Sequence, residues 1–334
     1  MANTIEADTI EIDRRNDRVA GDDVLDALER RLGRLHARQR LGIEAAREAR
    51  VFGRGYNRFH PENWYLSPPL VRTALLLSGL YWRARKNAAR VAVRCNEIAI
   101  AALPPVFDGF TILHLSDLHV ELNPEAMRRL DELLPPIAYD LCVLTGDYRD
   151  KTYGPCAAAL DGMRRLRARL LGPVYGVLGN HDSIRMVPAL EEMGIAMLLN
   201  EAVPLCRGRD RLHLAGIDDA HYYRVDNIEK AAAQIPDGEV SILLSHTPEI
   251  FRQAAHAGFD VLLSGHTHGG QICLPGAIPL TLDAKLPRRF GAGAWRYHGM
   301  AGYTSTGVGS SIVAVRLNCR PEITLHRLRR AAPS

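Results

Sequence analysis

The sequence predicts an α/β domain preceded by a helical extension, and three observations carry that reading. Six short apolar runs between residues 111 and 263 each stop at a polar cluster. Helical segments separate several of them, and residues 22–50 show leucines spaced three and four apart instead. Continuous apolar runs of this length suit strands buried on both faces. Strands alternating with helices define the α/β class.

The elements follow in chain order. Residues 1–20 are polar and patternless, which predicts a disordered tail. Residues 21–105 form the helical extension. Leu25, Leu28, Leu32 and Leu35 stand three and four apart, so residues 22–50 read as a helix. Gly53, Gly55 and the stretch from His60 to Pro69 break the pattern. Pro68 and Pro69 suit the start of a second helix, expected to run to about Glu97. From residue 106 to 330 the texture is that of the α/β domain. The expected strands are Thr111–Leu115, Leu141–Leu144, Val174–Leu178, Leu212–Ala215, Val240–Leu244 and Val261–Leu263, with helices at Glu125–Leu134 and Ala157–Leu171. Ser311–Leu317 and Glu322–Leu328 read as closing strands.

Bulk properties narrow the class. The chain has 334 residues, 47% hydrophobic and 24% charged, enough to bury a large core. The net charge of +4 gives no argument for nucleic acid, and no strong Lys/Arg run appears in the α/β region. Residues 1–105 hold 18 basic against 13 acidic residues, leaving the remainder near neutral. None of the six cysteines forms a C-x-x-C pair, so reduced thiols in a cytoplasmic protein are expected. The acidic start does not read as a signal peptide. The apolar run Ala74–Trp82 is far below the ~20 residues of a spanning helix. The expectation is a soluble or membrane-peripheral protein.

The chemistry lies where apolar runs end. The segments are Asp117-Leu-His119, Gly146-Asp147, Gly179-Asn180-His181-Asp182, His246 and Gly265-His266-Thr267-His268-Gly269. Each is weak alone, since Asp, Asn and Gly also favour turns after strands and a lone histidine is commonly a core residue. Together they bring carboxylates, imidazoles and an amide oxygen to strand ends, where open α/β folds place their sites. Asp117 and His119 lie two apart, as do His266 and His268, so extended backbone would send each pair to one side. Oxygen and imidazole donors without thiolate suit Mn²⁺, Fe or Zn²⁺.

The order and wording of these motifs resemble the calcineurin-like metallophosphoesterase superfamily over about residues 108–330. The resemblance implies a two-sheet sandwich flanked by helices with a dinuclear centre, Mn²⁺ favoured. Asp117, His119 and His268 would hold one metal; Asn180, His246 and His266 the other; Asp147 would bridge them. His181 would stand beside the phosphate as general acid, with Asp182 orienting it, and Asp150 of Gly-Asp-Tyr-Arg-Asp would support the site from behind. Two divalent cations ~3.5–4 Å apart neutralise a phosphate, supply a bridging hydroxide and clamp the attacking and leaving oxygens in line.

The implied activity is hydrolysis of phosphoesters or pyrophosphates. Gly269-Gly-Gln-Ile-Cys273 and Asn318-Cys-Arg-Pro-Glu322 resemble a bacterial branch that includes UDP-2,3-diacylglucosamine pyrophosphatases. That raises a lipid-linked substrate and peripheral membrane contact through Ala74–Trp82 and the basic residues after it, against simple packing of the extension onto the domain. Arg288 and Arg289 could grip a second phosphate, or lie solvated. The loop after Gly216, with Asp218, Asp219, His221 and Arg224, could face substrate or be ordinary surface. A metal-binding scaffold without catalysis is the reading from another class; no motif residue is missing, which argues against it.

Overall fold

The computed structural model describes residues 23–52 and 67–331; the expected tail, Gly53, Gly55 and Trp64 lie outside them. The first predicted helix is two, α1 over residues 23–32 and α2 at Arg34–Phe52. Gly33 separates them in a left-handed conformation, φ +87°. The break shifts the leucine stripe out of phase. Leu28 and Leu32 are buried, whereas Leu35, beyond the glycine, is 82% exposed.

The second helix is also divided, into α3 (Ser67–Leu77) and α4 (Tyr81–Ala88), with Gly79 at φ +71° between them. The helix expected to reach Glu97 stops at Ala88, and Ala92–Ile100 is instead strand β1. Its far end alternates buried Ile98 and Ile100 with exposed Glu97 and Ala99, a period of two. Pairing with a distant strand, not local propensity, decides this segment.

Two six-stranded sheets form the body. The first runs β1, β14 (Glu322–Arg330), β2 (Thr111–Leu115), β3 (Leu141–Leu144), β4 (Val174–Gly176), β5 (Ala196–Met197). The second runs β12 (Gly293–Tyr297), β13 (Met300–Thr304), β9 (Val261–Ser264), β8 (Ser241–Leu244), β7 (Asp210–Gly216), β6 (Glu201–Arg207). Strands β2 to β5 are parallel, as are β13, β9, β8 and β7, so each sheet gathers its carboxyl ends along one edge. A small hairpin, β10 (Cys273–Leu274) and β11 (Ile278–Pro279), follows the last motif.

Alternation along the strands explains their continuous apolar character. On β3, Leu141 and Val143 enter the layer between the sheets. Cys142 and Leu144 face the other way, onto α5 (Pro124–Leu133) and α6 (Ala157–Arg167). On β8, Ile242 and Leu244 point between the sheets and Leu243 packs in one cluster with Phe251 of the helix Phe251–His256. Burying each such side chain contributes about 1.5–3 kcal/mol. Leu28, Leu32 and Ala37 join the helix-side layer of the first sheet, so α1 and α2 pack onto the α/β body. Arg31 clips them to Glu191 and Glu201 at 2.9 and 2.6 Å.

Ser311–Leu317 is not a strand; its sole ladder contact is a bridge from Ile272 to Leu317. The Gln271 amide donates to the carbonyls of Ser311 and Val313 and accepts from the Ser311 N–H, using groups a ladder would need.

Candidate metal centre

The motif residues leave the carboxyl ends of β2, β3 and β4 in one sheet and of β8 and β9 in the other, and all meet at the shared edge. The loops are laced by backbone bonds: Asp117 N–H to Gly146 O at 3.0 Å, His119 N–H to Asp147 O at 3.0 Å, and Gly265 N–H to His246 O at 2.8 Å. Extended backbone does not aim the side chains. Asp117, His119, Asp147, His266 and His268 all have positive φ, between 39° and 69°. Such residues cost of order 1–3 kcal/mol each and cluster at functional sites. Asp and His tolerate this region better than most, which is one reason these residue types can serve here. The loops approach so closely that a Cβ on Gly179 would lie 2.1 Å from Asp147 Oδ1.

Two clusters of potential metal ligands result. Asp117, His119 and His268 bring one donor atom each within 4.8 Å of one another; so do Asp147, His246 and His266. His119 Nε2 and His268 Nε2 are 3.3 Å apart, with Asp117 Oδ1 3.6 Å from the latter. His266 Nδ1 and His246 Nε2 are 3.2 Å apart, with Asn180 Oδ1 2.8 Å from His246 Nε2. Asp147 Oδ2 reaches toward both clusters, 3.3 Å from His246 Nε2 and 3.7 Å from His119 Nε2.

The outer ring nitrogens test whether cations fit. His119 Nδ1–H donates to Arg149 O at 2.9 Å, His246 Nδ1–H to Thr145 O at 2.7 Å, and His266 Nε2–H to Asp283 O at 2.7 Å. A neutral imidazole has one proton. With that proton spent outward, the inner nitrogen of each ring presents a lone pair to its neighbours, the arrangement in which imidazoles bind metal. The facing lone pairs of His246 Nε2 and His266 Nδ1, 3.2 Å apart, repel unless a proton or a metal cation lies between them.

The electrostatics agree. Burial pushes His119 down to about 3. Burial and then His221 push His266 to about 3, and burial and then Arg316 hold His268 well below its ordinary value. Burial would raise Asp147, yet His246 and His181 hold it well below the carboxylate range. Burial would likewise lower His246, but Asp147 lifts it to about 10. Positive charge is thus favoured between Asp147 and the imidazoles.

Asp182 is the hub of the loops. Its carboxylate accepts from the N–H groups of Gly179, Asp147 and Tyr148 at 2.9, 2.7 and 2.9 Å, locking the second motif to the third. His181 lies edge-on to His119, ring centres 5.0 Å apart, and its backbone N–H donates to Asp147 Oδ1. Asp150 is partly buried beside His181, whose charge opposes the burial that raises its carboxyl. The loop after β7 is anchored, with His221 reaching to 4.2 Å from the His266 ring. Arg288 and Arg289 are exposed, the latter over Phe290.

Sequence reasoning missed two buried arginines. Arg316 donates to His268 Nδ1 and to the carbonyls of His268 and Gly309, fixing that ring from behind; unlike the other three rings, a neutral His268 then carries its proton on Nε2, toward His119, and would have to release it to bind a cation there. Arg40 of α2 donates to Asp182 O at 3.0 Å, stacks 3.3 Å over Tyr223 and faces Asp218 at 3.4 Å. Beside it, His36 meets Asp218, and Glu44 accepts from Ser183 and the Ile184 N–H. The one available signal was a lone basic residue in the otherwise apolar Val313–Leu317 stretch; Arg40 had none, standing among other basic residues.

Comparison with known proteins accords with this geometry. A calcineurin-like phosphoesterase family model matches residues 110–270. The uncharacterized metallophosphoesterase YkoQ of Bacillus subtilis is 33% identical over 263 residues, 74% of this chain and 94% of that protein. Phosphodiesterase YaeI of Escherichia coli is 29% identical over 235 residues, 66% and 82% of the two chains. A transmembrane protein with metallophosphoesterase domain from Bos taurus is 32% identical over 281 residues, and this chain spans 60% of its length. Among the described residues of the present chain no helix is long and apolar enough to cross a membrane. The chain belongs to the calcineurin-like metallophosphoesterase family.

Proposed function

We propose that the protein hydrolyses phosphoesters or phosphoanhydrides with two divalent cations held by the two clusters, Asp147 serving both. The observation that supports it most is the convergence of inner imidazole nitrogens whose outer nitrogens are tied to backbone carbonyls. The donors are nitrogen and oxygen without thiolate, which suits Mn²⁺, Fe or Zn²⁺, and the family resemblance favours Mn²⁺ among them. Cations bound there would neutralise the phosphoryl charge and supply hydroxide near neutral pH. The chain's own part is positional. Asp182 holds the second and third loops in register, Arg316 and the backbone carbonyls aim the imidazoles, and His181 protonates the leaving oxygen. A non-catalytic scaffold is the weaker reading, because the full ligand set and His181 are retained. The test is Asp147→Asn with metal analysis and a panel of mono-, di- and pyrophosphate substrates in Mn²⁺. Both cations and the activity should be lost; two retained cations with a near-native rate would sink the reading.

A second reading, a lipid-linked substrate met at an anionic membrane, has its own support. Helix α3 buries Leu75 but leaves Leu70, Leu76 and Leu77 exposed, and α4 exposes Trp82. Leu75 and Ala84 pack on Val315 and Leu317, with Ile272 beside them, so this face adjoins the β10–β11 hairpin, where Leu274, Ile278 and Leu280 are exposed too. Arg83, Arg85, Lys86 and Arg90 lie alongside, each contributing about 1 kcal/mol near an anionic surface. UDP-2,3-diacylglucosamine is the finer substrate to include. The protein should sediment with anionic vesicles at low salt and less so after Leu76→Ser, Leu77→Ser and Trp82→Ser together. Wild-type protein left in the low-salt supernatant refutes membrane contact.

A further inference from the structure

Six polar side chains form an unbroken row across the first sheet, and none but the last belongs to the ligand set. The row starts at Asn96 on β1, crosses to His326 on β14 and His114 on β2, and passes to Thr145 at the end of β3. It then returns through Ser116 to Asp117. The contacts are Asn96 Nδ2 to His326 Nδ1 at 3.0 Å, His326 Nε2 to His114 Nδ1 at 3.1 Å, and His114 Nε2 to Thr145 Oγ1 at 2.8 Å. Thr145 Oγ1 to Ser116 Oγ is 2.7 Å, and Ser116 Oγ to Asp117 Oδ2 is 2.6 Å. From His326 to Asp117 every member is buried, and Asn96 is partly so.

Proton counting gives the row a single direction. This step rests on the metal-centre reading, in which Asp117 is a carboxylate and only accepts. Ser116 must then donate its one proton to Asp117, so Thr145 must donate to Ser116. Thr145 has no proton left for His114, so His114 Nε2 is the N–H and His114 Nδ1 is the acceptor. His326 must therefore donate from Nε2 and accept at Nδ1, and the Asn96 amide nitrogen faces it. Both rings are neutral in this scheme, as burial between the sheets favours.

We infer that Asn96, His326, His114, Thr145 and Ser116 are positioning residues that aim a one-way series of donors at Asp117 Oδ2, so that Oδ1, which also accepts from the His266 backbone N–H at 3.0 Å, keeps a lone pair for the cation beside His119 and His268. The consequence is that β1 and β14, which carry no ligand, belong to the metal centre. Thr145 is the junction: its hydroxyl continues the row, while its carbonyl accepts from His246. Groups that orient metal ligands are typically worth about 10–100-fold in metal affinity.

The test has two arms. In ¹⁵N-histidine-labelled, metal-free protein, long-range ¹H–¹⁵N spectra should show His114 and His326 both as Nε2–H tautomers. An Nδ1–H tautomer or an imidazolium at either position overturns the inference. In the second arm, Thr145→Val keeps the side-chain shape and removes the hydroxyl, whereas Thr145→Ser keeps the hydroxyl. Calorimetric Mn²⁺ titration should show one of two sites weakened about 10–100-fold in the valine variant and restored in the serine variant. Equal affinities for wild type and Thr145→Val overturn the inference. If wild type itself takes up no cation, the proposed function fails separately, and the tautomers still decide the row.

Discussion

Replacing Arg40 by methionine should destabilise the protein in a pH-dependent way. Arg40 is fully buried in α2, with Asp218 3.4 Å away and Glu44 3.5 Å away. Methionine retains much of the apolar stem but removes the cation, leaving Asp218 buried with the His36 ring as its remaining side-chain hydrogen-bond partner. Breaking one side of a buried ion pair costs about 3–5 kcal/mol. Arg40 Nε and Nη1 meet no hydrogen-bond acceptor among the described residues, which favours the lower figure. An unfolding entropy of about 2.1 cal/mol/K per residue over this chain converts the loss to roughly 4–7 °C in Tm. The sign with pH follows from Asp218. Burial alone would raise its carboxyl, but Arg40 and then His36 hold it below the usual range. That contribution is present above the ordinary carboxylate value of about 3.9 and is lost as pH falls through the lower, folded value. Without Arg40, burial dominates and Asp218 can relieve its charge by taking a proton. The Tm gap between wild type and Arg40→Met should therefore be largest near pH 7 and narrow toward pH 4. Scanning calorimetry across that range decides it. A gap below about 1.5 °C at pH 7, or one that widens on acidification, refutes the argument.

Two further outcomes follow from the site. His181→Ala should keep both cations and slow turnover by ~10²–10⁴-fold, with a smaller loss for p-nitrophenyl substrates whose leaving group needs no proton; equal losses for good and poor leaving groups would assign His181 another task. Gly179→Ala should disrupt the centre, because its Cβ would fall 2.1 Å from Asp147 Oδ1 and 2.6 Å from Asp147 N; metal analysis and thermal unfolding should both register it, and a variant with native metal content and Tm would show that the two loops are not packed as described.

The sequence by itself determined the α/β body and the residue types that meet at the candidate site. Apolar runs ending in Asp, Asn and His report burial on both faces of a strand and polarity where it stops, and both are local properties. The helices at Pro124–Leu133 and Ala157–Arg167 were legible for the same reason. Other features depend on partners far along the chain. Ala92–Ile100 carries mixed polar and apolar residues that read as helix until nine consecutive residues pair with Glu322–Arg330. Ser311–Leu317 reads as a strand until Gln271 takes its carbonyls. The aim of the ligands came from left-handed backbone at five of them, a conformation that neighbouring loops impose and residue identity merely permits. Arg40, Arg316 and the row from Asn96 to Asp117 were invisible for a related reason: a buried charge or histidine becomes meaningful through its hydrogen-bond partners. Here those partners lie up to 230 residues away, brought within 3 Å by the pairing of strands.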